Sequence, residues 1–316
     1  MVLLGAGEFT YEASGSDWGE VPDGWTYKEA TAVAVDSKDN VFVFNRGGHP
    51  VIVFDSAGKF LRSWGDGMFT SPHGITIGPD DSVYCVDNAQ HTIRKFTPDG
   101  TLLMTMGEKD NPSEPMSGNP FNKPTHVAID PRNGDIYVAD GYSNARVHKY
   151  SEDGKKLMAW GESGTNPGQF NIVHNIAVDR DGYIYVADRE NQRVQIFDSS
   201  GKFQSQWVDL SRAAAVCVDN GVDQLVYVGE YFCGIESNAI GTCLGPRVSV
   251  FDRSGKVLAR LNNESYGDEP GRFYAPHELA VDSKGNIYVA EVAWSEYGRL
   301  MDPPRELRSL QKLIKQ

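Results

Sequence analysis

The stretch His174-Asn-Ile-Ala-Val-Asp179 contains the pattern that decides the fold of this chain of 316 residues. It is an alternating apolar run that usually ends in an aspartate, and it occurs six times. The copies cover residues 31–36, 73–78, 125–130, 174–179, 214–219 and 277–282. A pattern that recurs every roughly 40 to 60 residues is typical of propellers and solenoids, so the sequence predicts six similar units.

Each unit has the pattern of four short strands. In the fourth unit, the turn Asp181-Gly182 is followed by the apolar runs Ile184 to Asp188 and Val194 to Phe197, and a last run ends at Trp207. Period-2 alternation between glycine and aspartate turns indicates antiparallel strands. The sequence therefore predicts an all-β, six-bladed β-propeller over residues 1–302, with blades that begin near residues 30, 72, 124, 173, 213 and 276.

The two ends of the chain complete this prediction. The sixth unit lacks a clear fourth strand after Glu291, and the segment from Glu8 to Trp18 resembles the missing strand. We expect this N-terminal segment to close the ring by pairing with the last blade. The tail over residues 303–316 has Leu307, Leu310 and Ile314 at helical spacing, which predicts a short C-terminal helix.

Composition excludes several classes of function. The chain has 43 acidic and 30 basic residues, a formal net charge of −13, and no basic block, so we expect no nucleic-acid partner. No apolar run approaches the about 18 residues of a membrane span. The opening residues 1–4 are too short for a secretory signal, so we expect either a cytoplasmic protein or one whose leader has been removed.

Four cysteines are few for this length. Cys85 and Cys217 lie in predicted strands, where a buried free thiol is the usual state. Cys233 and Cys243 flank a glycine-containing insertion and could pair, although a cytoplasmic location argues against a disulfide.

Histidines occupy one repeat position in strict alternation. The first position of the recurring phrase holds Thr31, His73, Thr125, His174, Ala214 and His277 in the six units. Side chains at one position on every second blade converge on the propeller axis, and three imidazoles with an open fourth position are typical of a catalytic metal site. Imidazole suits zinc and other divalent transition metals. A single histidine is more often structural, and we interpret the other four, His49, His91, His126 and His148, in that way.

A second set of candidate residues follows the second strand of each unit. Arg46 and Arg189 hold this position in the first and fourth units, and Tyr142 follows one residue later in the third. A nearby arginine or metal stabilises a phenolate, so Tyr142 could act as a general base, while the arginines could clamp a substrate carboxylate. The alternative is that both arginines only pair with local acids.

These motifs resemble those of a known family. The six units are similar to NHL repeats, and the chain as a whole resembles the catalytic core of peptidyl-α-hydroxyglycine α-amidating lyase. The matching stretches are Phe44-Asn-Arg46-Gly-Gly-His49, Ser71-Pro-His73-Gly-Ile75, Ala139-Asp-Gly-Tyr142-Ser-Asn-Ala-Arg146, Val173-His174, Ala187-Asp-Arg189-Glu-Asn-Gln-Arg193 and Ala275-Pro-His277.

The resemblance implies a mechanism and its residues. It implies zinc on the three histidines His73, His174 and His277, Tyr142 as the catalytic base, and Arg46 and Arg189 as active-site arginines. It also implies a structural calcium bound by Glu278 and by backbone carbonyls such as that of Ile75. The implied reaction cleaves the C–N bond of a carbinolamide, which gives an amide and glyoxylate.

The sequence departs from this family at four positions. Ser143 and Asn122 stand where secreted members have a cysteine pair, which again favours the cytoplasm. Ala275 replaces a methionine that lines the family's site, and Glu278 replaces an aspartate. The change at Ala275 leaves room near the metal, so a smaller carbinolamide or another hydroxy-acid derivative is as consistent with the sequence as a peptide.

Three functions remain open from the sequence. The first is a zinc-dependent carbon–nitrogen lyase acting on a small substrate that carries a carboxylate. The second is a metal-dependent hydrolase of an ester, lactone or amide, since a metal can also activate water. The third is a non-catalytic binding scaffold, because fold does not settle function. The insertion at residues 231–246 could be a flap over the channel or a decorative loop.

Overall fold

The computed structural model describes residues 1–15, 18–118, 121–232, 244–262 and 266–316. Over these residues the strands form six sheets, and the fold class is the six-bladed β-propeller that the repeat predicts. The chain divides into two compact units, which we call the split unit (residues 1–66 and 217–316) and the central unit (residues 67–216).

The first part of the split unit contributes one complete sheet and two N-terminal strands. The strands are β1 (Val2–Leu4), β2 (Tyr11–Ala13), β3 (Ala30–Val35), β4 (Val41–Asn45), β5 (Val51–Phe54) and β6 (Phe60–Trp64), with a 3-10 helix at Gly7–Phe9. Strands β3 to β6 pair in chain order as an antiparallel meander.

The central unit contains three further meanders of four strands. They are β7 (Pro72–Ile77), β8 (Val83–Asp87), β9 (Thr92–Phe96) and β10 (Leu102–Met106); β11 (His126–Ile129), β12 (Ile136–Asp140), β13 (Arg146–Tyr150) and β14 (Lys156–Trp160); and β15 (Val173–Val178), β16 (Ile184–Asp188), β17 (Arg193–Phe197) and β18 (Phe203–Trp207). A 3-10 helix follows β16 at Arg189–Asn191. The first strands β7, β11 and β15 contact one another in sequence.

The remaining strands follow in chain order. The boundary between the central unit and the split unit falls inside the first of them, β19. They are β19 (Arg212–Val218), β20 (Val226–Tyr231), β21 (Arg247–Phe251) and β22 (Val257–Leu261), then β23 (Pro276–Val281), β24 (Ile287–Glu291) and β25 (Leu310–Lys315). Helix α1 (Ala293–Glu296) and a 3-10 helix at Gly298–Leu300 lie between β24 and β25. The first strand β23 contacts both β3 and β20.

Where the recurring phrase ends in an aspartate, this residue builds the turn after the first strand. Asp179 accepts hydrogen bonds from the backbone N–H groups of Asp181 and Tyr183, at 3.0 and 2.8 Å. Asp282 makes the same pair of bonds to Lys284 and Asn286. An aspartate that bonds the backbone ahead of it mimics a turn, which explains why the phrase ends in this residue.

The hydrophobic core lies between neighbouring sheets. In the central unit, Tyr137 and Val147 of the third sheet pack with Ile176, Val186 and Phe197 of the fourth. Alternate residues of each strand therefore face different neighbours, and both faces of most strands are buried.

The sixth sheet confirms one prediction about the chain ends and corrects another. Strand β2, within the predicted N-terminal segment, pairs with β25, with Tyr11 opposite Lys315 and Ala13 opposite Leu313. The sheet order is β1-β2-β25-β24-β23. A short helix near the C-terminus is present at α1, but its placement over residues 303–316 was wrong, because residues 310–315 form β25.

The reason for this error is the position of β25 between two other strands. Both of its faces are buried, so Gln311 and Lys312 are covered as well as Leu310 and Leu313. The Lys312 ammonium donates to the Ser56 carbonyl and lies 5.6 Å from the Trp18 ring centre. Backbone pairing on both sides outweighed a weak helical spacing of three apolar residues.

We expect Leu313→Ala to lower the free energy of unfolding by about 2 to 5 kcal/mol, because Leu313 is fully buried in the middle of the sixth sheet. Chemical denaturation of the purified protein measures this change. The matched control is Leu300→Ala, since Leu300 is 68% exposed and its loss should alter stability by less than about 0.5 kcal/mol. Equal effects of the two substitutions would contradict the placement of β25.

Candidate metal centre and active site

Each of the three predicted histidines occupies a β-bulge at the start of a first strand. In β7, Pro72 pairs with Asp87 and Gly74 with Val86, so His73 is one extra residue in the ladder. The same irregularity surrounds His174 in β15 and His277 in β23. A bulge breaks the regular alternation of a strand and redirects the side chain it carries.

The Nδ1 atom of each ring lies close to a backbone carbonyl oxygen. The distances are 2.7 Å from His73 to Thr125, 2.6 Å from His174 to Ala214 and 2.6 Å from His277 to Thr31. Each carbonyl belongs to the residue at the first position of the recurring phrase in the next repeat. For His277 of the sixth repeat, the next repeat is the first one. The positions that lack histidine therefore supply the oxygen atoms that orient the histidines.

These carbonyls determine the tautomer of the three rings. A carbonyl oxygen can only accept a hydrogen bond, so each Nδ1 carries a proton, and in the neutral ring Nε2 then presents a lone pair. Metal-binding histidines commonly donate their second nitrogen to a backbone carbonyl, which fixes the ring and leaves the other nitrogen for the metal. The donor set thus fits a divalent cation.

The three histidines form a group of candidate metal ligands. One nitrogen from each of His73, His174 and His277 lies within 4.8 Å of the other two, and all three residues are buried. Three imidazole nitrogens could bind zinc or another divalent transition metal.

Tyr142 lies beside two of these histidines in the central unit. Its hydroxyl is 3.0 Å from Nε2 of His73 and 3.2 Å from Nε2 of His174. The Tyr142 hydroxyl thus lies within hydrogen-bonding distance of two of the nitrogens that could bind a cation.

Gly141 allows Tyr142 to reach this position. The loop after β12 lies directly on the backbone of Val173, the residue before His174. A Cβ atom at position 141 would lie only 2.0 Å from the Val173 carbonyl oxygen. Any larger residue would push the loop away, so Gly141 is required by this close approach rather than by its own backbone conformation.

Arg189 packs on Tyr142 from the next sheet. Its guanidinium carbon lies 5.7 Å from the centre of the Tyr142 ring, within the range of a cation–π contact. Its Nε donates to Glu190 Oε1 at 2.8 Å, and Glu190 also accepts from Nη2 of Arg212 at 2.7 Å. Burial opposes ionisation of Glu190, but hydrogen bonding to Arg212 and the two positive charges outweigh it and lower the pKa of the carboxyl.

Arg46 is held by an acid in the split unit. Its Nη1 lies 2.5 Å from Oε1 of Glu29 and donates to Oγ of Ser295 at 3.1 Å. Both arginines thus contact local acids, as the alternative interpretation of the sequence expected. Neither Glu29 nor Ser295 stood out in the sequence, because Glu29 precedes β3 outside the phrase and Ser295 lies in a segment without a repeat.

The other residues taken from the resemblance lie in β23 or just before it. Ala275 is fully buried, and its N–H donates to Oε2 of Glu291 at 3.0 Å. Glu278 is buried one residue beyond His277, and its charge adds to burial in raising the pKa of the Cys217 thiol. The calcium site at Glu278 and the Ile75 carbonyl stays a prediction.

The acidic residue that ends a second strand accepts hydrogen bonds from the backbone just before the first strand of the same sheet. Asp87 accepts from the N–H groups of Thr70 and Ser71, just before His73. Asp188 accepts from Asn171 in the same way, and Glu291 accepts from Tyr274 and Ala275. These acids order the backbone of the loops, and burial raises the pKa of Glu291 to about 7.

Several remaining sequence predictions concern residues away from this site. Cys85 and Cys217 are free thiols, with Cys85 buried. Cys233, Cys243 and most of the insertion at residues 231–246 lie outside the described residues. No helix within the described part of the chain is long and apolar enough to cross a membrane.

Comparisons with known proteins agree with the fold and the repeat. The NHL repeat model matches residues 121–150 and 170–197. The chain is 34% identical over 279 residues to NHL repeat-containing protein 3 of Homo sapiens. This alignment covers 82% of this chain and 76% of that protein. It is 35% identical over 257 residues to peptidyl-alpha-hydroxyglycine alpha-amidating lyase 1 of Drosophila melanogaster.

The lyase match covers 75% of this chain but only 46% of the fly protein, so the chain spans about half the length of that relative. Among solved structures, a catalytically inactive virginiamycin B lyase from Staphylococcus aureus has a TM-score of 0.55 at 17% identity. That match covers 84% of this chain and 78% of the other, and it supports the fold alone.

The fold and the histidine group define a repeat propeller with a candidate metal centre on its first strands. Within that class, the chain belongs to the NHL repeat family, and its sequence is homologous to peptidyl-α-hydroxyglycine α-amidating lyase.

We expect the wild-type protein to bind about one zinc ion per chain and His174→Ala to lose it, because three neutral imidazoles are needed to complete the donor set. Elemental mass spectrometry after dialysis measures the metal content. His49→Ala is the matched control, since the His49 ring stacks on the Trp25 ring, with 3.4 Å between the ring centres, and is not part of the histidine group. Equal zinc content in both variants would argue against the site.

Proposed function

We propose that this protein is a zinc-dependent carbon–nitrogen lyase that cleaves an α-hydroxyglycine-type carbinolamide into an amide and glyoxylate. The observation that carries this proposal is the position of the Tyr142 hydroxyl, 3.0 and 3.2 Å from Nε2 of His73 and His174. A phenol beside candidate metal ligands is placed to remove a proton from a hydroxyl bound at the same centre. The name of the Drosophila relative supports the same chemistry.

His73, His174 and His277 would hold the metal in this proposal. A divalent cation bound there supplies Lewis acidity, which polarises an oxygen of the substrate. The carbonyls of Thr125, Ala214 and Thr31 keep the three rings oriented. Burial of the rings limits access of water to their nitrogens.

Tyr142 carries the proton in the proposed reaction. As phenolate, it takes the proton of the substrate hydroxyl, and the O–H electron pair becomes the second bond of a new C=O group. The C–N bond breaks, its electrons go to the amide nitrogen, and this nitrogen takes a proton. The products are a primary amide and glyoxylate, so the balanced equation contains no water.

Arg46 and Arg189 are proposed to bind the substrate carboxylate. The guanidinium is planar and carries five N–H donors, a geometry that matches the two oxygens of a carboxylate. The guanidinium carbon of Arg189 also lies 5.7 Å from the centre of the Tyr142 ring, so this arginine is close to the proposed base.

The substrate is proposed to be a small molecule with a carboxylate. Ala275 is fully buried two residues before His277, and its side chain is smaller than the methionine found there in the family that the chain resembles. Calcium at Glu278 and a cytoplasmic location belong to the same proposal. They rest on the resemblance and on the absence of a cysteine pair at residues 122 and 143.

We expect Tyr142→Phe to lower kcat for glyoxylate release from N-benzoyl-α-hydroxyglycine by about 10²- to 10⁴-fold, since general base catalysis contributes about this factor. Zinc content should stay at the wild-type level, because the phenol is not among the three histidine ligands. Glyoxylate is measured by a coupled dehydrogenase assay. A variant with wild-type kcat would remove Tyr142 from the mechanism.

Heavy oxygen separates the lyase from the hydrolase. A lyase transfers no solvent oxygen into the amide product, whereas a hydrolase that uses metal-activated water incorporates it into the product acid. We expect benzamide and glyoxylate, and no labelled benzoate, when N-benzoyl-α-hydroxyglycine reacts in H₂¹⁸O. Labelled benzoate would show that the metal-dependent hydrolase is the correct alternative.

A further inference from the structure

Glu29 is a buried acid at the centre of a small hydrogen-bond network in the split unit. Its side chain is 1% exposed. It accepts hydrogen bonds from Nη1 of Arg46 at 2.5 Å, from Oγ of Ser295 at 2.6 Å and from the N–H of Ser295 at 2.8 Å. The backbone N–H of Arg46 donates to the Glu29 carbonyl at 3.1 Å. A carboxylate this deeply buried is stable only with such partners.

Ser295 closes the network into a triangle. Its hydroxyl donates to Glu29 and accepts from Nη1 of Arg46 at 3.1 Å, so each of the three side chains contacts the other two. A hydroxyl can make both bonds at once because it has one donor and two lone pairs. One nitrogen of the guanidinium is therefore fixed by two oxygen atoms.

Packing fixes the helix that presents Ser295. Residue Ala293 of α1 is fully buried, and it clusters with Tyr274 and Leu307. Ser295 lies two residues later, and its N–H bond to Glu29 ties α1 to the residue before β3. The position of the hydroxyl thus depends on core contacts rather than on a free loop.

We propose that Glu29 and Ser295 are positioning residues that hold Arg46 in the orientation in which it binds the substrate carboxylate. This inference rests on the proposed function of Arg46. An arginine side chain has many rotamers, and fixing it before the substrate arrives removes an entropic cost from binding. Glu29 and Ser295 hold Nη1 of the arginine, and its side chain is 23% exposed.

The first test is steady-state kinetics with N-benzoyl-α-hydroxyglycine on Ser295→Ala and Glu29→Asp. Ser295→Ala changes no charge, and Glu29→Asp keeps the charge but shortens the side chain. We expect KM to rise about tenfold in each variant, as for the loss of one hydrogen bond to a charged group, while kcat stays within about twofold. The matched control is Ser254→Ala, since the Ser254 hydroxyl also donates to a carboxylate, but in an exposed turn.

A double-mutant cycle distinguishes positioning from a general structural role. In the background of Arg46→Lys, Ser295→Ala should raise KM by less than about twofold, because its effect passes through the guanidinium. A full tenfold rise in both backgrounds, or no rise in the wild-type background, would overturn the proposal.

Binding of N-benzoylglycine separates failure of this inference from failure of the proposed function. This compound keeps the carboxylate but lacks the reacting hydroxyl, so calorimetry reports carboxylate binding without turnover. If wild type releases no glyoxylate, the lyase proposal fails. The positioning role then still predicts a Kd about tenfold weaker in Ser295→Ala than in wild type. An equal Kd in the two proteins, or no binding by wild type, contradicts it.

Discussion

The hydrogen bond from a histidine Nδ1 to the carbonyl of the neighbouring unit is the constraint on which the candidate site depends. It occurs at His73, His174 and His277, at 2.6 to 2.7 Å in each case. The second, fourth and sixth repeats supply the rings, and the first, third and fifth repeats supply the oxygens. Because the carbonyl fixes both the tautomer and the ring plane, it also fixes the direction of the nitrogen that could bind a metal. The alternation therefore has a structural reason, since the histidine positions supply the rings and the positions between them supply the carbonyl oxygens.

The repeat predicts the strands well because the physical signal is local. Alternating apolar residues, followed by an aspartate that bonds the backbone ahead of it, specify each first strand and its turn. The histidine position follows from the same comparison of units. The β-bulges at His73, His174 and His277 could not be predicted, because a one-residue irregularity depends on pairing with the next strand rather than on the phrase itself. The bulges are nevertheless what redirects the rings.

The errors and omissions of the sequence predictions have a common cause, which is contact between residues that are distant in sequence. The tail strand β25 has a weak helical spacing in its own sequence, and only its two neighbours, β24 and β2, make it a strand. Glu29 and Ser295 are separated by 266 positions, and their hydrogen bond has no local signal at either end. Sequence patterns report the repeat, whereas residues that join distant segments become visible only in the folded chain.

The fold alone leaves the function open, since NHL relatives at similar identity carry names both with and without a lyase activity. The distinction lies in the side chains around the histidines. The two interpretations of the arginines, as partners of local acids and as substrate ligands, are compatible in the structure. Glu29 engages Nη1 of Arg46, and Glu190 engages Nε of Arg189, so each acid contacts one edge of a planar group with five donors. An acid that holds one edge of a guanidinium orients the other. The pairing with local acids is therefore compatible with the proposal that these arginines recognise a carboxylate.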